Sequence, residues 1–362
     1  MPADHALIGQ SIDAIDTPSL IVDPDILELN LKRLADYFAS RPCKIRPHFK
    51  SHKCVELARR QLKMGSAVGI TCAKLSEAEQ LVAGGISDVL IANQVVGPSK
   101  AQRLAKLNRR ATVRCAVDSM VAVQQLDDAA GEAGVAIGVL VEVDIGMNRC
   151  GLPPGEPALG LARQIAATRY LRFDGLQGYE GHAVSKEDRQ ERESKTRTAM
   201  AELTETRALI ERSGLPVGIV SGGGTGTYDV TGNLPGIDEV QCGSYALMDW
   251  KYKRVRPEFE VSRWILATVI SARDNQVVVD VGVKGAGCEF GLPQLADHPA
   301  VVARFCAEEH TPFDNFAAPV GERLRLTPSH GCTTANLYRK MWIVRDGVIE
   351  DVWPIEGAGC LE

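Results

Sequence analysis

The chain reads as an α/β protein, a (β/α)8 TIM-type barrel over residues 25–255 joined to a smaller, mainly β domain formed by residues 1–24 and 256–362. Three observations predict this. Eight short β-rich runs alternate with amphipathic helical stretches through the first two-thirds of the chain, the pattern of repeated βα units. After about residue 255 the strand runs continue but the helical periodicity stops. The length, 362 residues, exceeds that of a usual single domain and suits one large and one small domain.

The eight barrel strands are expected at Lys44–Pro47, Ala67–Cys72, Asp88–Ala92, Thr112–Val117, Ile137–Val143, Phe173–Gly178, Val217–Val220 and Glu239–Cys242. Among the helices, residues 53–64 gather Val55, Ala58 and Leu62 near one face, Ser76-Glu77-Ala78-Glu79 opens a helix with acids in its first turn, and residues 186–212 form a long one with a polar face. Eight such units place reactive groups at the C-terminal ends of the strands. A doubly wound open sheet is the alternative arrangement of the same units. Beyond residue 255, Trp264–Ile270, Gln276–Asp280, Arg323–Leu326 and Met341–Val344 read as strands without intervening helices. The early strand Ser19–Asp23 precedes the first barrel helix, Leu27–Phe38, and is free to join that β domain.

Composition excludes several classes. Forty-one Lys and Arg against 46 Asp and Glu give a net charge of -5, with the basic residues dispersed, so no nucleic-acid partner is expected. No run reaches the 18 or so apolar residues of a membrane span, and the first residues lack the basic-then-apolar order of a secretion signal. The expectation is a cytoplasmic protein with no membrane partner. Its ten cysteines include no C-x-x-C pair, which favours reduced structural thiols over a disulfide framework.

The segment Arg46-Pro47-His48-Phe49-Lys50-Ser51-His52-Lys53 brings two lysines and two histidines to the end of the first barrel strand. An amine there can hold an aldehyde cofactor as a Schiff base; a basic strand end paired with acids is the plain alternative. After the seventh strand comes Ser221-Gly222-Gly223-Gly224-Thr225-Gly226-Thr227, where barrels commonly bind phosphate on backbone N–H groups. Ser221, Thr225 and Thr227 can add hydroxyls, and the order of a nucleotide P-loop is missing. A phosphate cradle and a strand-end lysine are the two anchors that pyridoxal 5'-phosphate needs.

These two segments, with Glu142–Gly151 and Gln241-Cys242-Gly243-Ser244-Tyr245, resemble the D-threonine aldolase branch of the barrel-type pyridoxal-phosphate enzymes, which also holds D-serine dehydratases and alanine racemases. The resemblance runs from Asp16 to Pro354. It implies that Lys50 carries the Schiff base, with Lys53 the weaker choice. It implies a cofactor site built from Lys50, Arg149, Tyr179, Ser221, Gly223, Gly224, Thr225, Gly226, Gln241, Gly243, Ser244 and Tyr245. Read from its surroundings alone, Arg149 could equally pair with Asp144. Gln241 stands where alanine racemases put an arginine opposite the pyridine nitrogen, and an amide there makes only neutral hydrogen bonds. A modest electron sink is the expected consequence.

His330 and Cys332 lie in Pro328-Ser329-His330-Gly331-Cys332; in an extended segment they project to the same side and can converge on one ion. The resemblance makes them the expected ligands of a divalent metal beside the substrate's β-hydroxyl. Thiolate ligation prefers Zn²⁺ over Mn²⁺ or Mg²⁺. The His-x-Cys order is similar to that of the dehydratases and departs from the His-x-Asp of D-threonine aldolases. Gln177–Tyr179, Gly222–Thr227, Gln241–Asp249 and Val283-Lys284 look more like aldolase segments and decide the expectation.

The resemblance thus implies a metal-activated lyase that cleaves Cα–Cβ of D-β-hydroxy-amino acids to glycine and an aldehyde. His52, then His310, are the histidines expected to take the β-hydroxyl proton. The same anchors would serve a dehydratase acting on D-serine or D-hydroxyaspartate, and a non-catalytic cofactor-binding protein would keep them without the metal pair. A small-molecule β-hydroxy-amino acid and a second copy of the chain, forming a homodimer, are the expected partners.

Overall fold

A computed structural model describes residues 2–362. The chain divides into two compact units. One, the barrel unit, comprises Ala35–Phe49, Ala58–Gly243 and Cys360–Glu362; the other, the β unit, comprises the residues up to Leu34, then Lys50–Leu57 and Ser244–Gly359.

The barrel unit holds eight parallel strands: Lys44–Ile45, Ile70–Cys72, Asp88–Gln94, Thr112–Val117, Ile137–Glu142, Leu171–Gly178, Ile219–Gly222 and Glu239–Val240. Each pairs with its sequence neighbour from the second to the eighth, and the eighth pairs with the first. Single parallel bridges from Ile45 to Ala67 and His48 to Thr71 continue the pairing between the first strand and the second. All eight expected runs are strands, and the fold is α/β with a parallel barrel.

Local chemistry explains these elements. The fifth strand, Ile137–Glu142, is buried at every position, as a parallel strand covered on both faces must be, hence its apolar run from Ile137 to Val141. The helix Arg189–Arg212 is N-capped by Asp188, which accepts from Glu191 N–H at 2.7 Å. It buries Thr196, Ala199, Met200, Leu203, Thr206 and Ile210, a stripe at three- and four-residue spacing. Arg46 donates to Glu239 at 2.8 Å and to Asp88 at 2.5 Å, and Arg114 joins Asp88 to Asp174. The first basic residue of the lysine segment is therefore a buried structural ion.

In the β unit, the sheet order is Gln294–Leu295, Arg323–Thr327, Arg263–Arg273, Ser19–Val22, Lys340–Arg345, Val348–Pro354, with Gln276–Val279 and Thr311–Asp314 branching from Arg263–Arg273. Ser19–Val22 thus joins this sheet, antiparallel to Arg263–Arg273 and parallel to Lys340–Arg345. Ile15, Ile21, Leu266, Trp342, Val344, Ile349 and Val352 form a core on it.

One expectation is overturned here: the strands of this region are not free of helices. Gly331–Leu337 forms a short helix between Arg323–Thr327 and Lys340–Arg345. Seven residues are too few to register as an apolar period. The consequence for the His-x-Cys pair is direct, because His330 is the extended N-cap residue, with φ -134 and ψ 108, and Cys332 lies inside the first turn.

Candidate active site

The lysine segment leaves the first barrel strand through a 3-10 turn, Phe49–Ser51. Lys50 is half-buried there. Lys53 has a different role: its backbone is left-handed, with φ 56, and its Nζ donates to the carbonyl of Gly357 at 3.2 Å. The Gly357 N–H in turn donates to the Lys53 carbonyl at 2.9 Å. Lys53 fastens the C-terminal segment.

His52 is fully buried, and its Nδ1 accepts the backbone N–H of Cys54 at 3.2 Å. A neutral ring accepting at Nδ1 carries its proton on Nε2. His310 is exposed on the turn before Thr311–Asp314, its carbonyl accepting from Ala307 N–H.

Within the same β unit, Cys332 feels the charge of Lys50. Burial pushes the Cys332 thiol up, but its hydrogen bond to His330 and the cations of His330, Lys50 and Arg263 outweigh this and hold it below the usual thiol range. Burial pushes His330 down, and the partners Cys332, Glu289 and Asp249 reverse that, raising it above the usual value. The two side chains converge although the segment is not extended, because the turn from N-cap into helix brings them together. Glu289 Oε1 lies 3.3 Å from His330 Nδ1, Thr333 Oγ1 is 3.2 Å from the same nitrogen, and the Phe290 ring packs on the imidazole with centroids 4.5 Å apart. Among the described residues no cluster of three or more His, Cys, Asp or Glu side chains is poised to hold an ion. The pair is a two-ligand donor set of imidazole and thiolate, whose chemistry fits Zn²⁺.

In the barrel unit, the glycine-rich loop is held from beneath by Glu180, a side chain that follows the sixth strand. Glu180 is fully buried. Its Oε2 accepts Gly223 N–H at 3.1 Å, and its Oε1 accepts the hydroxyls of Thr227 and Thr231 at 2.6 and 2.7 Å. Burial raises its pKa, against the opposing effect of these three donors. The Thr227 hydroxyl therefore serves the loop's own support. Gly223 is left-handed, with φ 72. A Cβ on Gly226 would fall 1.8 Å from the Val184 carbonyl, so this position admits no side chain. Thr225 is buried beside it.

Gln241 and Ser221 meet at the ends of neighbouring strands. The Gln241 amide donates to Ser221 Oγ at 2.9 Å and to Gln177 Oε1 at 3.1 Å. Both of its N–H bonds are taken, so its carbonyl oxygen remains as an acceptor. Gln177 also bonds Glu142, which accepts from Gln94 at 2.7 Å. Amides and a carboxylate from four strand ends form one connected line. Arg149 is exposed, its guanidinium 5.6 Å from the Tyr179 ring centroid and its charge acting on Glu142. Asp144 instead accepts the N–H groups of Gly146 and Asn148, each at 3.0 Å, closing its own turn.

Gly243 is buried at the end of the barrel unit, and Ser244 and Tyr245 begin the next segment of the β unit. Tyr245 is 1% exposed and packs edge-on against Phe259, 6.0 Å between centroids.

An alanine racemase N-terminal domain model matches residues 22–249, and a serine dehydratase domain model matches residues 262–344. The chain is 37% identical to the 3-hydroxy-D-aspartate aldolase of Paracoccus denitrificans (strain Pd 1222), over 98% of this chain and 95% of that protein. It is 38% identical to the D-threonine aldolase of an Arthrobacter species, over 97% and 95%. The crystal structure of D-threonine aldolase from Filomicrobium marinum matches with a TM-score of 0.95 at 38% identity, covering 98% of this chain and 99% of that one. The chain belongs to the fold-type III pyridoxal-phosphate enzymes. Within them it is a carbon–carbon lyase of the aldolase branch.

As a fold-type III enzyme it has residues whose chemistry suits its cofactor: an amine on a strand-end turn, and a glycine-rich loop packed closely against its own unit at Gly226. Sequence reasoning missed Glu180, Glu289 and Arg263. Each bonds or abuts a residue of the site, and no spacing rule reports that. Glu180 yields a prediction. Glu180→Ala leaves an N–H and two hydroxyls buried without an acceptor, at about 1–3 kcal/mol for each unsatisfied group. We expect a loss of at least about 3 kcal/mol in stability and weaker cofactor binding in a fluorescence titration. Glu180→Gln keeps one acceptor oxygen and is expected to lose less. A Gln variant as damaged as the Ala variant would contradict this account.

Proposed function

We propose that the chain cleaves the Cα–Cβ bond of D-β-hydroxy-amino acids, with D-threonine, giving glycine and acetaldehyde, as the leading substrate. The relatives of matching length, a D-threonine aldolase and a 3-hydroxy-D-aspartate aldolase, support the substrate class. The observation that carries the chemistry is the imidazole–thiolate pair His330/Cys332 in the same unit as Lys50.

In this reading Lys50 holds pyridoxal phosphate through its amine, and Gly223, Gly224, Thr225 and Gly226 receive the phosphate, aided by Ser221, Gly243, Ser244 and Tyr245. The cofactor supplies an electron-accepting ring for the pair released at Cα. Tyr179 and Arg149 flank the ring. Gln241, with only its carbonyl oxygen to offer, accepts a hydrogen bond from whatever faces it. His330 and Cys332 hold a divalent ion, which supplies Lewis acidity toward the β-hydroxyl. Zn²⁺ is preferred by the thiolate, and Mn²⁺ or Mg²⁺ are the alternatives for catalysis. Between the two histidines, the bonding of His52 favours a structural role, since its accepting nitrogen is already occupied. His52, on the turn that carries Lys50, would need that nitrogen released to take the β-hydroxyl proton, and His310 is the second candidate.

We further propose a homodimer whose neighbouring subunit completes the substrate pocket. A cytoplasmic location suits the ten free thiols, and no helix among the described residues is long and apolar enough to cross a membrane.

A dehydratase reading is favoured by one observation, the His-x-Cys order within the segment matched by the serine dehydratase model. Supplying D-threonine and D-serine separately and identifying products by mass separates the two. Glycine with acetaldehyde is expected. 2-Oxobutanoate from D-threonine, or pyruvate from D-serine, without glycine, would establish the dehydratase instead.

A further inference from the structure

We infer that Arg263 is a positioning residue that holds the Lys50 turn and the His330–Cys332 turn in one frame, by donating to the carbonyls of Ser51 and Met248 while Gly331 lies directly against its guanidinium. The inference rests on the reading of Lys50 and the His330/Cys332 pair given above.

Arg263 begins the long strand Arg263–Arg273 and is 1% exposed, among the largest fully buried side chains of the described residues. Burying a guanidinium is costly and is tolerated only where hydrogen bonds and counter-charges surround it. Here the partners are all backbone or site residues. Nη1 donates to the carbonyl of Ser51, the residue after Lys50, at 3.1 Å. Nη2 donates to the carbonyl of Met248 at 3.0 Å.

The third side is Gly331, between the two metal-ligand residues. A Cβ there would lie 1.4 Å from Nη2 and 2.5 Å from Cζ. A guanidinium tied to two carbonyls cannot swing away, so glycine is required at 331 for space. Asp249 completes the frame. It is fully buried, accepts Gly331 N–H at 2.8 Å and Tyr252 N–H at 2.8 Å, and its charge acts on Arg263. The carboxylate grips the Gly331 backbone while the cation touches its α-carbon face.

A group in this position cannot reach a reacting atom, being wholly enclosed. It acts by fixing where Lys50 leaves its turn and where His330 and Cys332 point, and misplacement of a site by about 1 Å costs on the order of 100-fold. A filler of the core would affect stability alone. A frame affects two sites at once.

The test uses the full chain loaded with pyridoxal phosphate and titrated with Co²⁺, whose thiolate charge-transfer absorption reports Cys332. Arg263→Lys keeps the charge but not the two-armed reach. We expect both Co²⁺ affinity and cofactor affinity to fall about ten-fold or more, with the thermal midpoint of the apo chain within a few degrees of the parent. Retention of both affinities within two-fold overturns the inference. Should Arg263→Lys not fold, Arg263→Gln, which keeps a planar donor group of shorter reach without the charge, is read in the same way. If the parent chain itself shows no cobalt–thiolate band, the metal reading has failed. Cofactor affinity in the two variants then decides the frame by itself, with unchanged binding rejecting it.

Discussion

Lys50→Ala is expected to abolish the visible absorption of lysine-bound cofactor and to reduce turnover of D-threonine by at least about 10,000-fold, equivalent to about 5.4 kcal/mol in the barrier. Lys50 is half-buried on a one-turn 3-10 helix, whereas the neighbouring Lys53 has its amine bonded to the carbonyl of Gly357 and its backbone locked to the same residue. Lys53→Ala should keep the absorption. Its cost is the lost hydrogen bond, about 1 kcal/mol of stability, felt at the C-terminal segment. Borohydride reduction followed by peptide mapping checks the pair directly. Cofactor fixed to Lys53, or to neither lysine, would refute the assignment.

His330→Ala and Cys332→Ala should each remove stoichiometric divalent metal from the purified chain and lower kcat by about 100-fold, about 2.7 kcal/mol. A site of two protein ligands would have no reserve, since no group of three His, Cys, Asp or Glu side chains poised to hold an ion is found among the described residues. Loss of either donor therefore leaves a single contact. Elemental analysis before and after dialysis against a chelator provides the measurement, and metal retained at full stoichiometry in both variants would reject the site. Cys332→Asp is the informative companion. It exchanges a soft donor for a hard one and should shift preference from Zn²⁺ toward Mn²⁺ without restoring the original affinity.

Much of the fold was legible because its signals are local. The barrel strands carry short, mostly apolar segments, buried throughout in Ile137–Glu142, and the long helix Arg189–Arg212 repeats its buried residues at three- and four-residue spacing from Arg192 to Ile210. The joining of Ser19–Val22 to the β sheet was open in the sequence, since a strand's partner is chosen by distant residues. The short helix after His330 was missed for lack of length, and with it the geometry of the metal pair. The conformation expected for the motif was wrong: His330 is the cap of a helix and Cys332 lies in its first turn, not in an extended strand.

The sequence by itself indicated the class of enzyme, through segments spread over almost the whole chain that resemble one family: the lysine segment after the first strand, the glycines after the seventh and the Gln241–Tyr245 run. Tertiary structure alone decided what each side chain faces. Only there does Lys53 become a fastening, His52 a ring with its acceptor nitrogen filled, and the Thr227 hydroxyl a prop for its own loop. Only there do Glu180, Asp249 and Arg263 acquire meaning. A buried charge must be surrounded by partners, and those partners come from segments up to about two hundred residues away, from Ser51 to Arg263. Spacing along the chain carries no record of them.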